Sequence, residues 1–241
     1  MTPVAMSNYY FTQAITLRKQ PIRDNDRLYV LYTKDLGKIS ALARGAGKIS
    51  SKLAGHLEPF GQTSVIIVKK NAIPHLAGAQ NKKIFSAISG ELEILAIASR
   101  CLRITNELVK EGHPDVDIYN LLLEVFEFLE TKPKKEKLEV VYSVYILKLL
   151  TQLGYRPEIY HCLACRNDIK PEDNFFNFIK GGLVCPCCQS SEAGFKVSLN
   201  MIKFLRAALN YNFQDLSKIK FNSLAASNFN QIINQFLIQR F

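Results

Sequence analysis

Five of the six cysteines lie within 27 residues, from Cys162 to Cys188. Cys162-Leu163-Ala164-Cys165 and Cys185-Pro186-Cys187-Cys188 are two C-x2-C pairs with 19 residues between them. That is zinc-ribbon spacing: each pair makes a tight turn presenting two thiolates, and the two turns complete a tetrahedral sulfur shell. A filled shell leaves no position for water or substrate, so Cys162, Cys165, Cys185 and Cys188 are expected to hold a structural Zn2+ that does no chemistry. An iron centre or redox chemistry is the alternative use of the same thiols. Cys187 lies within the second pair and could displace a ligand, and His161, next to Cys162, is a further ligand option. The metal is expected to fold Tyr160 to Ser191, a segment poor in apolar residues, with Phe175, Phe176 and Phe178 packing beneath it. Disulfides are disfavoured, because the cysteines are clustered and no export signal precedes them. Cys101 stands apart, among Ile97, Ala98 and Leu102, as a buried small hydrophobe.

The second set of residues with a chemistry is cationic. Residues 1–85 hold 13 Lys/Arg against 4 Asp/Glu, which places +9 of the total +10 in that segment. A solvated basic face has the same composition, but a domain-sized cationic excess is the footprint of a polyanion binder, since each neutralised phosphate releases condensed counterions. The excess is densest in Arg44-Gly45-Ala46-Gly47-Lys48-Ile49-Ser50-Ser51-Lys52, which has three cations, two glycines, two serines and no acid. Its backbone is expected to be mobile and its N–H and hydroxyl groups free for phosphate. Arg27, Lys34, Lys38, Arg44, Lys48 and Lys52 are the candidate contacts to a nucleic-acid backbone, with Lys69-Lys70 and Lys82-Lys83 near later strand ends. Tyr29 and Tyr32, and Tyr9, Tyr10 and Phe11, could stack on unpaired bases if they face outward, or pack in the core. The loop is not a phosphate-binding P-loop, because that pattern needs Gly at 42 and Ser or Thr at 49, where Leu42 and Ile49 stand.

Catalytic sets are absent. His56, His75, His113 and His161 are scattered, and the close acid pairs Asp24/Asp26 and Asp115/Asp117 sit where Asp ordinarily serves turns and caps, so a nuclease is disfavoured and no enzyme is expected.

These residues must be positioned by a chain of 241 residues, 48% hydrophobic and 22% charged, which is ordinary for a folded protein with a sizeable core. No apolar run approaches a membrane span and no hydrophobic signal core opens the chain, so a cytoplasmic protein is expected. The first 80 residues read as strands over Tyr9 to Leu17, Arg27 to Thr33, Lys38 to Ala43, Thr63 to Lys69 and Ile73 to Ala79. Lys34-Asp35-Leu36-Gly37 closes a hairpin, with Gly37 at a positive φ. Five such strands fit a small closed barrel of the OB type, with an SH3-like barrel nearly as apt.

After Ile84 the period becomes helical. Glu91 to Glu111 places Leu92, Leu95, Ala96, Ser99, Leu102 and Leu108 on one stripe, and Gly112-His113-Pro114 ends it. Asp117 to Glu130, Glu136 to Leu153, Leu199 to Leu209 and Ser223 to Gln239 are further helices, with Gly154 a C-cap and Ser198 an N-cap. The first three are expected to bundle. The fold class is therefore α+β: an OB-fold barrel over 1–81, a helical bundle domain over 84–241, and a zinc-ribbon-like insertion over 158–193.

Asp26-Arg27-Leu28, Leu31-Tyr32-Thr33, the run Gly37 to Ala46, Ser51-Lys52-Leu53 and Leu57-Glu58-Pro59-Phe60 together resemble the amino-terminal signature of the bacterial recombination mediator family RecO. Length, basic barrel, helices, the Gly154-Tyr155-Arg156-Pro157 step and the four-cysteine insertion follow in the family's order, so the resemblance covers most of the chain. It departs at Asp24-Asn25, where the family has Gly-Glu, at Gly47-Lys48-Ile49, where the family is richer in arginine, and after Ser198. The resemblance implies a protein that binds single- and double-stranded DNA, anneals complementary strands and, with RecR and in some lineages RecF, helps load RecA onto DNA coated by single-strand-binding protein. It also implies that the helical domain contacts the acidic, Phe-ending tail of that coat protein, and that the protein is associated with the nucleoid. The rival reading is an RNA-binding or ribosome-associated OB-fold/zinc-ribbon protein.

Overall fold

A computed structural model describes residues 8–23, 25–69, 72–189, 194–220 and 222–241 of the chain. Five strands come first: β1 (Tyr9–Arg23), β2 (Asp26–Thr33), β3 (Gly37–Ala43), β4 (Gly61–Val68) and β5 (His75–Ile84). Burial alternates residue by residue along β3 and β4, as a pleated strand with one face in a core requires. The inward set, including Tyr29, Leu31, Ile39, Ala41, Val65, Ile67 and Leu76, fills one apolar core. The strands close into a barrel in the order β1-β2-β3-β5-β4, with β1 antiparallel to both β2 and β4. Between β3 and β5 the ladder is a single parallel pairing, Leu42 with His75. This is the expected OB-type barrel.

β1 closes the barrel because it is long enough for two partners. Tyr9 to Ala14 pair with β4, and Ala14 to Arg23 pair with β2. The strand expected to stop at Leu17 thus continues to Arg23. Arg18, Lys19, Pro21 and Arg23 hid the continuation, since a charged stretch with a proline reads as a loop. The proline is accommodated beside a register shift, where the regular ladder is interrupted. At the other end of β2, Gly37 has φ +68°, and a Cβ there would stand 2.5 Å from the His113 backbone, so turn geometry and close approach both demand glycine.

Three helices belong to the same compact unit, which runs from Met1 to Lys132: α1 (Ser86–Gly90), α2 (Leu92–Leu108) and α3 (Val116–Glu130). They build a second apolar layer outside the barrel. Phe126 of α3 meets Phe60 and Phe85 edge to face, with ring centroids 5.8 and 5.6 Å away. Tyr32 is buried against this layer and its hydroxyl donates to the Asp115 carbonyl. The Asp115 carboxylate accepts from the Asp117 and Ile118 amides and so caps α3. The buried stripe of α2 is Ile94, Ile97, Ala98, Cys101, Leu102, Ile104 and Thr105, whereas Leu92 is 78% exposed and Ala96 and Ser99 also face solvent. The expected stripe was rotated because alanine and serine are compatible with either face. Cys101 is fully buried, as expected, and burial pushes its thiol pKa up, which leaves it an inert hydrophobe.

The second unit runs from Pro133 to Phe241. Its centre is α4 (Lys135–Gln152), buried around most of its girth. A three-stranded sheet follows, β6 (Asn174–Asn177), β7 (Gly182–Val184) and β8 (Phe195–Val197), in the order β7-β6-β8. Then come α5 (Leu199–Asn210), α6 (Phe213–Ser217) and α7 (Ser223–Ile238), and α4 packs against α5 and α7. Ser198, Asn212 and Asn222 cap these three helices through their side chains. The helices thus fall into two packing groups: the first two of the expected trio lie with the barrel, and the third packs within the second unit. Among the described residues no helix is long and apolar enough to cross a membrane.

Replacing Phe126 by Ala should destabilise the first unit by about 3–5 kcal/mol, the usual loss for a buried ring. Chemical denaturation checks this by a lowered midpoint, and a shift below about 1 kcal/mol would mean that the outer layer is not a packed core.

Candidate nucleic-acid interface and metal centre

The segment after β3 is ordered by two bonds to the β1–β2 tip. The Gly47 amide donates to the Asn25 carbonyl (2.7 Å) and the Gly45 amide to the Asp26 carboxylate (2.8 Å). Within the segment, the Lys48 amide reaches back to the Gly45 carbonyl and the Ser51 amide to the Lys48 carbonyl, two successive turns. Gly45 has φ +65°, and a Cβ on Gly47 would lie 3.0 Å from the Asn25 Cα, so both glycines serve the seating of the loop. The expected mobile loop is therefore a fastened one. Arg44, Lys48 and Lys52 are all exposed on it, and none of the described residues forms an ion pair with them. Asp26, one of the acid pair considered for a nuclease, uses a carboxylate oxygen to hold the Gly45 amide. Asp24 lies outside the described residues, and Asp115 is the cap of α3.

The six candidate contacts separate in space. Arg27 pairs with Ala43 at the same end of the β2–β3 ladder as Arg44, so Arg27, Arg44, Lys48 and Lys52 share one end of the barrel. Lys34 is exposed in the turn at the opposite end, about 20 Å along the strand at 3.3 Å per residue. Lys38 is half-buried and its Nζ donates to the Asn106 carbonyl (2.8 Å), one of the last, otherwise unpaired, carbonyls of α2. Burial lowers the Lys38 pKa, against the opposing pull of Glu111. The extension of β1 supplies two further cations outside the six candidates, Arg18 and Arg23, both exposed on the arm that carries Arg27. Their signal was charge alone. Lys19 and Lys83 are engaged by Glu58 and Glu127. Lys70 lies outside the described residues.

Of the aromatics, Tyr29 and Tyr32 are fully buried and cannot stack on bases. Tyr10 is half-buried beneath Lys69, whose Nζ stands 4.9 Å from the ring centroid. Tyr9 and Phe11 are 40% and 48% exposed on the outer face of β1.

In the second unit, the four cysteines of the two pairs meet. The sulfurs of Cys162, Cys165, Cys185 and Cys188 all lie within 4.8 Å of one another, and those of Cys165 and Cys185 are 3.9 Å apart. A tetrahedron with metal–sulfur bonds of about 2.3 Å has edges of about 3.8 Å, so the cage fits a four-thiolate metal. Cys187 is exposed and outside the cage, so the four sulfurs brought together are those of the two C-x2-C pairs. His161 instead faces the carboxylates of Glu158 and Asp168 at 3.6 and 3.4 Å. The Ala164 and Cys185 amides both point at the Cys162 sulfur (3.4 Å each). Burial alone would raise the Cys162 thiol, but amide bonds from Cys165, Cys185 and Ala164 outweigh it and bring its pKa down to about 6. Burial raises Cys185, and hydrogen bonds with the Cys185 and Cys165 side chains push Cys188 up to about 12. One negative charge in a bare thiol cage opposes a second, and a divalent cation at the centre reverses that sign.

The cage is braced from below. The Leu163 amide donates to the Leu183 carbonyl, joining the two turns, and buried Phe176 meets Phe236 of α7 edge to face at 5.7 Å. Arg206 of α5 donates twice to the Ile159 carbonyl and lies 4.8 Å from the Tyr160 ring centroid. Elsewhere in this unit, an open groove of about 670 Å3 is lined by Lys203, Arg206, Lys220, Phe204, Ala207 and Ile219.

The family model described as Recombination protein O N terminal matches residues 6–85, and that described as Recombination protein O C terminal matches residues 89–240. A DNA repair protein RecO of Dehalococcoides mccartyi (strain ATCC BAA-2266 / KCTC 15142 / 195) is 30% identical over 211 residues, spanning 88% of this chain and 82% of that protein. A DNA repair protein RecO of Alkaliphilus metalliredigens (strain QYMF) is 24% identical over 228 residues, spanning 94% and 92%. One from Roseiflexus sp. (strain RS-1) is 30% identical over 198 residues, spanning 82% and 69%.

The cage makes a sharp distinction among its cysteines. Purified protein should carry one metal ion per chain by elemental analysis; Cys165→Ser should lose it, and Cys187→Ser should retain it. Metal lost from the Cys187 variant as readily as from the Cys165 variant would mean a different ligand set.

Proposed function

The chain belongs to the recombination protein O family, and we propose that it serves DNA repair by binding single- and double-stranded DNA, annealing complementary strands and helping to load RecA onto DNA coated by single-strand-binding protein. The observation that carries this reading is the fastened cationic loop. Arg44, Lys48 and Lys52 stand exposed at the barrel end that also holds Arg27, with Arg18 and Arg23 on the adjoining arm. Annealing requires no bond-breaking residue. It requires that two mutually repelling phosphate backbones be neutralised together and that their bases stay accessible, which a ridge of long cationic side chains provides. Lys34 can engage a second stretch of backbone at the far end of β2, and Lys38 acts chiefly by holding α2 to the barrel. The loop has no Asn or Gln to read base edges, so sequence preference is weak.

Zn2+ is the metal proposed for the Cys162, Cys165, Cys185 and Cys188 cage, since a four-thiolate tetrahedral shell is its usual structural site. With no open position, its contribution is to fold the β6–β8 segment. RecR, and in some lineages RecF, are the proposed partners in loading, with RecA engaged indirectly and the whole process cytoplasmic, at the nucleoid. The groove over Lys203, Arg206 and Lys220 supports contact with the acidic, Phe-ending tail of single-strand-binding protein: Lys203 and Lys220 line it beside Arg206, whose guanidinium is held by the Ile159 carbonyl, and Ala207 and Ile219 offer an apolar seat for a terminal ring.

Two experiments test these assignments. If about 4–6 phosphates are contacted, log K for a single strand should fall against log salt with a slope near −3 to −4, and Arg44→Ala/Lys48→Ala/Lys52→Ala should flatten it by about 2 and slow annealing. An unchanged slope would move the site elsewhere, and tighter binding of a matched RNA strand would favour an RNA-binding protein. For the groove, a peptide of the coat protein's tail should bind the wild type and bind Lys203→Glu/Lys220→Glu at least tenfold more weakly; equal affinity would place the tail at another surface.

A further inference from the structure

Ile49 lies at the crest of the cationic loop and is 109% exposed, as open to solvent as in an extended chain. Single exposed apolar side chains are common on proteins and usually carry no meaning. This one differs in its setting. Its neighbours Lys48, Ser50 and Lys52 are all exposed, and the turn beneath it is fastened by the Gly47–Asn25 and Gly45–Asp26 bonds, so the side chain is presented on a fixed base. Isoleucine is branched at Cβ and has few rotamers, which makes it a stiff apolar projection where the unbranched Lys would be a compliant one. A nucleic-acid strand whose phosphates were held by Arg44, Lys48 and Lys52 would have its base faces, the largest apolar surfaces of such a ligand, within reach of this side chain.

We propose that Ile49 is an apolar wedge that inserts between adjacent bases of bound DNA and partly unstacks them, while the flanking cations hold the phosphates. The inference rests on the DNA-binding reading and deepens it. The ligand class is a nucleic-acid strand with stackable bases, and the chemistry is burial of an aliphatic side chain against base faces, without sequence preference. For an annealing protein the consequence is useful: a step pried open at the loop keeps base edges separated and available to a second strand.

The test uses the full-length protein and single strands carrying one internal 2-aminopurine, whose fluorescence rises when it unstacks and is not quenched by an aliphatic neighbour. Saturating wild-type protein should raise the signal. Ile49→Ser should abolish the rise and weaken binding by roughly fivefold to tenfold, the value of about 1 kcal/mol or slightly more of apolar burial, with an unchanged salt slope because no charge is removed. Ile49→Leu should restore the rise. Since Ile49 touches no core, melting temperatures should match, and a full rise with Ile49→Ser would overturn the wedge. Wild-type binding without any rise would also overturn it while leaving DNA binding intact, whereas no binding by wild type in low salt would instead remove the function on which it rests.

Discussion

Two short hydrogen bonds determine what the cationic end of this protein can do. Gly47 to Asn25 and Gly45 to Asp26 pin a loop bearing three positive charges against an arm that carries Arg18, Arg23 and Arg27. Left to itself, a cluster of like charges spreads apart, and a glycine-rich segment has the conformational freedom to let it. Fastening holds the charges together before a ligand arrives, so the ordering of the backbone is not left to the binding step. The carboxylate of Asp26 contributes twice, as a hydrogen-bond acceptor and as a negative charge beneath the ridge. The glycine at 47 is there because the two backbones approach too closely for a side chain.

The rest of the first unit keeps that end in place. The barrel closes only because β1 spans two partners, and the same length of strand generates the arm. Outside the barrel, the layer built on Phe60, Phe85 and Phe126 joins α1 to α3 to it, and Lys38 adds a polar tie to the end of α2. A lysine predicted to meet phosphate thus has a nearer partner. Its distance from the loop and its place in the β2–β3 ladder are legible in sequence, but a backbone carbonyl 68 residues away is not.

The second unit solves a different problem. Its ribbon has strands of three or four residues, too short to be stable alone, so it depends on contacts beyond its own ladder. Four sulfurs converge on one point, amide groups aim at Cys162, and Phe176 and Arg206 connect the ribbon to the helices. The sulfur cage was readable from spacing because ligand chemistry constrains chain geometry tightly. The buttresses were not, because an arginine on α5 and a carbonyl at Ile159 share no local pattern.

The amino-acid sequence by itself determined most of the longer elements and where the thiols and the cations gather. Alternation of apolar residues gave the barrel strands, a helical period gave the long helices, Ser198 marked a cap, and the C-x2-C spacing picked out the four cysteines that cluster, all through interactions between residues near in the chain or through the spacing that a shared ligand site imposes. Tertiary structure decided which faces are used. It buried Tyr29 and Tyr32, rotated the apolar stripe of α2 toward Ile94, Ile97 and Cys101, placed Lys34 and Arg44 at opposite ends of one strand pair, and turned a flexible-looking loop into a fastened one. Those outcomes depend on which surfaces meet across long sequence separations, and composition and periodicity carry no record of that.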